Sequence, residues 1–88
     1  MEIVFLPKAN DDLDFWKKSG NSIVQKKIHS LLLAISDSPF EGIGKPEPLK
    51  YNLTGKWSRR INSEHRIIYA VSEIEQIIKI YSLRGHYN

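Results

Sequence analysis

The sequence predicts a single α+β domain over residues 1–88, made of an N-terminal strand, two helices and an antiparallel β-meander, with the helices packed on one face of the sheet. Two observations carry this reading. Val24, Ile28, Leu31 and Ile35 recur at spacings of four, three and four, the period of a helix that buries one face. After Lys56 the pattern changes to short β-branched and aromatic runs separated by turn residues, the signature of antiparallel strands.

In chain order, Glu2-Ile3-Val4-Phe5-Leu6, ended by Pro7, predicts the first strand. Asn10 to Lys18 predicts the first helix. Asn10 offers a cap, Asp11, Asp12 and Asp14 fall in a first turn where the helix dipole favours negative charge, and Leu13, Phe15 and Trp16 give a partial apolar stripe. Gly20 ends it. The second helix begins at Ser22, whose spacing to Gln25 is that of a capping box, and runs to Ser38-Pro39. Pro39 to Pro48 is too rich in proline and glycine for a helix or a central strand and reads as a stiff loop. Beyond the turn at Asn52-Leu53-Thr54-Gly55, Lys56 to Ile61 and Arg66 to Val71 pair about a turn at Asn62 to His65; Ser72 to Gln76 then turns into Ile77 to Leu83. No internal repeat or low-complexity tract interrupts the pattern.

Composition narrows the chemistry. The chain has 88 residues and no cysteine, which excludes a disulfide framework, a thiolate metal site and a cysteine nucleophile, and makes a cytoplasmic location the expectation. Its apolar runs fall far short of the roughly 20 residues that a membrane span needs, and Glu2 stands where a signal peptide would be basic. The net charge of +3 is unevenly placed. Residues 1–44 sum to −1 and residues 45–88 to +4, so a polyanion would meet the second half. No phosphate-cradling glycine motif is present. His29, His65 and His86 lack metal-ligand spacing, and the Asp11, Asp12 and Asp14 cluster is explained by the helix dipole, so neither a metal nor another cofactor is expected.

Within the basic half, Glu47 stands between Pro46 and Pro48, which restrict its backbone and present the carboxylate from a stiff platform. Lys45, Lys50, Lys56, Arg59, Arg60 and Arg66 surround it in sequence, with Glu64 the only other acid of that window. On local sequence alone a solvated acid in a rigid connector is the better reading of Glu47, but an acid among cations suits a proton acceptor beside a bound phosphate. Strand alternation sends Arg59 and Arg60 to opposite faces of the sheet. Trp57 reads as core rather than as a base-stacking surface, and His65 as a turn residue. His86, beside Tyr87 near the end of the chain, has a side chain able to exchange a proton near neutrality, although by position alone a frayed terminal histidine fits at least as well.

The residues Pro39-Phe40-Glu41-Gly42, Gly44-Lys45-Pro46-Glu47-Pro48-Leu49-Lys50, Asn52-Leu53, Trp57-Ser58-Arg59-Arg60-Ile61, Glu64-His65-Arg66, Tyr69-Ala70-Val71 and His86-Tyr87 together resemble the YoeB/Txe toxins of the RelE-like superfamily. The resemblance covers nearly the whole chain. It implies a metal-independent endoribonuclease that cleaves messenger RNA in the ribosomal A site by attack of a ribose 2′-hydroxyl on the adjacent phosphate, and so inhibits translation. On matching positions Glu47 is implied as the base, Arg66 as the phosphate stabiliser and His86 as the acid, with Lys50, Arg60 and Tyr87 supporting; Arg59 joins these as an RNA- or phosphate-binding candidate. A cognate antitoxin of the YefM/Axe kind, with an acidic, partly disordered segment, is implied as partner beside the ribosome and its message, and a homodimer is compatible with it. Two positions depart from the pattern: Gly85 stands where a bulkier residue is expected, and Asn88 extends the chain past the usual terminal tyrosine. The competing reading from the basic hairpin alone is a non-catalytic module that binds RNA or ribosomes.

Overall fold

A computed structural model describes residues 1–85. Strand β1 (Glu2–Phe5) is followed by helix α1 (Pro7–Ser19), which starts earlier than the cap at Asn10 predicts. Pro7 both stops the strand and opens the helix: its ring presets the helical φ, and its missing N–H falls where no intrahelical bond is required. Asp11, Asp12 and Asp14 consequently lie past the first turn, and the dipole explanation for them fails. Asp12 is buried, paired with Lys8 at 2.8 Å, while the exposed Asp14 reaches Lys18 at 3.6 Å.

Gly20 closes α1 in the left-handed conformation expected of a helix-ending glycine, at φ +73°. Helix α2 (Ser22–Asp37) is capped by Asn21, whose side chain accepts from the Val24 amide at 3.1 Å, so the cap lies one residue before Ser22. All four residues of its predicted stripe are buried.

The loop after α2 leads into β2 (Glu47–Pro48), a two-residue strand at the sheet edge, where a proline costs no ladder bond. After a short 3₁₀ turn at Tyr51–Leu53 come β3 (Trp57–Arg60), β4 (Arg66–Ser72) and β5 (Ile77–Ser82). The sheet order is β1-β5-β4-β3-β2, with β1 parallel to β5 and every other pairing antiparallel. The parallel pair is the topological consequence of a helical crossover between the first strand and the meander.

Register sorts the side chains into two faces. Trp57 lies opposite Tyr69, and Tyr69 opposite Ile80; with Arg59 and Ile67 they face the helices. There Ala9, Trp16, Val24, Ile28, Leu31 and Ile35 meet Ile67, Tyr69, Ile78, Ile80 and Leu83 in one core. On the other face Glu47 lies opposite Ser58, Ser58 opposite Ile68, and Arg60 opposite Arg66. The helices thus leave free the face on which the charged candidates sit.

Candidate functional site

The two neighbouring arginines of β3 part as alternation requires. Arg60 is exposed, whereas Arg59 has no solvent-accessible surface. The Arg59 guanidinium donates through Nε to the Tyr69 hydroxyl at 3.2 Å, through Nη1 to the Ile43 carbonyl at 3.0 Å, and through Nη2 to the carbonyls of Glu41, at 2.8 Å, and Ser38. Tyr69 in turn donates to the Pro39 carbonyl. Burial pushes the Tyr69 phenol above its ordinary pKa, with the hydrogen bond and charge of Arg59 pulling the other way. Arg59 is therefore the internal fastener of the loop that follows α2. The structure turns Arg59 away from the expected phosphate contact: four of its five N–H groups are spent behind the sheet, on three loop carbonyls and the Tyr69 hydroxyl.

Glu47, Lys50 and Arg66 come together around a cleft of about 360 Å³ lined also by Pro48, Leu49, Tyr51, Leu53 and Ser58. Each is placed by a different device. Glu47 is fixed by β2, whose register sets it beside Ser58, and Lys50 sits between β2 and the 3₁₀ turn. Arg66 opens β4, and its amide donates to the Gly85 carbonyl at 2.9 Å. With β2 and β4 two strands apart and Arg66 two residues along from the Glu47 row, sheet spacings separate the two backbones by about 12 Å. Side chains of this length can close on a group held between them.

Among the described residues the ion pairs are Lys8–Asp12, Lys18–Asp14 and Lys79–Glu75, so Glu47, Lys50 and Arg66 enter none. The Nη1 of Arg66 is buried without a hydrogen-bond partner among the described residues. Withholding a partner from a guanidinium N–H costs about 1–3 kcal/mol or more, a cost that an anionic ligand with oxygen acceptors would offset. Among the described residues no three His, Asp or Glu side chains are grouped to hold a metal ion.

Arg60 shares the open face with Arg66, directly across the β3–β4 pair, but lines a neighbouring depression with Lys27, Lys45 and Asn62. It extends the cationic surface beside the cleft. Tyr51 and Ser58 are cleft residues that sequence reasoning missed. Tyr51 is 89% exposed at the rim with φ +58°, and its carbonyl accepts from the Thr54 hydroxyl at 2.7 Å. An aromatic beside the Lys50 cation was the available signal. His86 and Tyr87 lie outside the described residues. Trp57 packs against the core and the Phe40 ring, at 4.9 Å, as its size predicts.

Fold and cleft together define a small two-helix α+β domain carrying a carboxylate, and cations unpaired among the described residues, on the open face of its sheet. The sequence matches, over residues 5–87, the family described as YoeB-like toxin of bacterial type II toxin-antitoxin system, and the chain belongs to that family. It is 45% identical to Toxin YoeB of Escherichia coli K12 over 99% of this chain and 100% of the relative. A YoeB/ParE toxin from Agrobacterium tumefaciens superposes with a TM-score of 0.93 at 40% identity, covering 99% of this chain and 100% of that one. The toxin fold also matches a chain of a YoeB-YefM complex from Staphylococcus aureus, with a TM-score of 0.86, 46% identity and coverage of 99% and 98%. Among the described residues no helix is long and apolar enough to cross a membrane.

Proposed function

We propose that this toxin is a ribosome-dependent endoribonuclease that cleaves messenger RNA through the 2′-hydroxyl beside the scissile phosphate. One observation carries the reading: a carboxylate, a lysine and an arginine whose buried N–H has no partner among the described residues line one cleft without pairing to one another. Cleavage of this kind has three requirements, and each has a candidate group. Glu47 takes the 2′-hydroxyl proton as the 2′-oxygen attacks phosphorus. Arg66 and Lys50 stabilise the charge on the pentacoordinate phosphate. His86 gives a proton to the departing 5′-oxygen, leaving a 2′,3′-cyclic phosphate on one fragment and a 5′-hydroxyl on the other. Arg60 and Tyr87 hold flanking RNA. The substrate is RNA because DNA lacks the nucleophile.

The +4 balance of residues 45–88 supports an acidic antitoxin segment as the natural inhibitor of this face. The YoeB-YefM complex of a relative 46% identical supports the same partner, and both proteins would then meet ribosomes in the cytoplasm. The test is cleavage of ribosome-bound message by wild type, Glu47→Gln, Arg66→Ala and His86→Gln. Loss of a general acid or base is expected to slow cleavage about 10²–10⁴-fold. Undiminished cleavage in all three variants would sink the assignment, and arrested translation with intact messages would favour the non-catalytic binding module.

A further inference from the structure

The segment that leaves β5 is held residue by residue. Leu83 donates its amide to the buried Asp12 carboxylate at 2.9 Å and accepts from the Trp16 indole at 2.8 Å. The Arg84 guanidinium lies 3.9 Å from the centroid of the Phe15 ring. Gly85 uses both backbone groups: its carbonyl accepts from the Arg66 amide at 2.9 Å, and its amide donates to His65 Nδ1, also at 2.9 Å. The His65 ring stands edge-to-face on Trp16, with centroids 5.0 Å apart, so the ring that receives Gly85 is itself positioned by α1. With Nδ1 accepting, the neutral imidazole carries its proton on Nε2.

This arrangement exceeds what a turn residue needs. The turn is already closed by Asn62, whose side chain accepts from the Glu64 and His65 amides at 2.9 and 2.8 Å, and by the bond from the Ile61 amide to the His65 carbonyl at 2.9 Å. The imidazole is left over for the tail. Gly85 takes φ +83° there, a conformation in which glycine is at ease and other residues are strained.

We propose that His65 is a positioning residue for the cleavage reaction: by accepting the Gly85 amide it fixes, next to Arg66, the backbone to which His86 and Tyr87 are joined in sequence. The inference rests on the nuclease reading for its effect on rate, but the latch itself is read without RNA. Two variants separate acceptor from ring. His65→Phe keeps an aromatic ring against Trp16 and removes the acceptor; His65→Asn supplies an oxygen close to the place of Nδ1 and gives up the ring.

The experiment measures amide hydrogen exchange at Gly85 by NMR, and single-turnover cleavage of ribosome-bound message at varied ribosome concentration. In His65→Phe, Gly85 exchange should quicken about fivefold, the change expected for one hydrogen bond. Its maximal cleavage rate should fall about 10- to 100-fold, as small misplacement of a reacting group does, with half-saturation unchanged within about twofold. His65→Asn should restore both. Rapid Gly85 exchange with an undiminished cleavage rate in His65→Phe would overturn the proposal, as would equal rate loss in both variants. A wild type that protects Gly85 yet cuts no message would overturn the nuclease reading, and with it the effect on rate.

Discussion

Replacing Arg59 with methionine keeps the bulk of the side chain and deletes the guanidinium. Four of its five N–H groups are engaged, three with loop carbonyls and one with Tyr69. A hydrogen bond to a charged group is worth about 1.5–3 kcal/mol, but these four share one cation and do not add, and removing the cation also lifts the cost of burying it. What the substitution leaves is three loop carbonyls and the Tyr69 hydroxyl without their donor, at about 1–3 kcal/mol for each group that stays buried, or about 3–5 kcal/mol in all once the loop relaxes. A domain of this size is expected to have only about 4–13 kcal/mol of stability in total. Arg59→Met should therefore lower Tm by at least about 12 °C, at about 4 °C or more per kcal/mol. Urea unfolding followed by Trp16 and Trp57 fluorescence gives the free energy directly. Arg60→Met, at the exposed neighbouring position, should stay within about 0.5 kcal/mol of wild type. An Arg59→Met protein that melts like wild type and has lost affinity for ribosomes would show that Arg59 meets RNA after all.

Two further outcomes follow, one from the packing beside Arg59 and one from the cleft. A Cβ on Gly44, at φ +84°, would lie 2.6 Å from Leu31 Cδ2 and 3.2 Å from Arg59 Cβ, so Gly44→Ala should cost about 2–4 kcal/mol by urea unfolding. Gly20→Ala, at φ +73° with nothing within 4 Å, should cost only about 1 kcal/mol; equal costs would show that the close approach to Leu31 is unimportant. If Lys50 contacts a phosphate, Lys50→Ala should reduce the salt dependence of ribosome binding by about one unit of slope, while Lys26→Ala, on α2 behind the sheet, should leave it unchanged.

Much of the fold was legible because its signals are local. The α2 stripe, the Gly20 stop and the parting of Arg59 from Arg60 each follow from a period of 3.6 or 2, and the structure bears them out. The start of α1 was misread because Pro7 serves two elements at once. The burial of Arg59 was not legible, since its acceptors lie 16 to 21 residues earlier in a loop whose path only the tertiary fold determines. Asp12 and His65 escaped for the same reason: their partners, Leu83 and Gly85, are 71 and 20 residues away. For the candidate site, residue types singled out Glu47 as an acid among cations, but its meeting with Arg66 depends on the register of β2 against β3 and of β3 against β4, which no short sequence pattern encodes.

If the Glu47 and Arg66 cleft drives a 2′-hydroxyl onto its neighbouring phosphate, removing that one hydroxyl must stop the cut. After the cut site in a ribosome-bound message is mapped, the same message is made with a single 2′-deoxynucleotide on the 5′ side of that phosphate. This message should still programme the ribosome and bind the toxin with wild-type affinity but not be cut at that position, while the all-ribose message yields a 2′,3′-cyclic phosphate. Cleavage of the deoxy-substituted bond at the normal rate would contradict the mechanism.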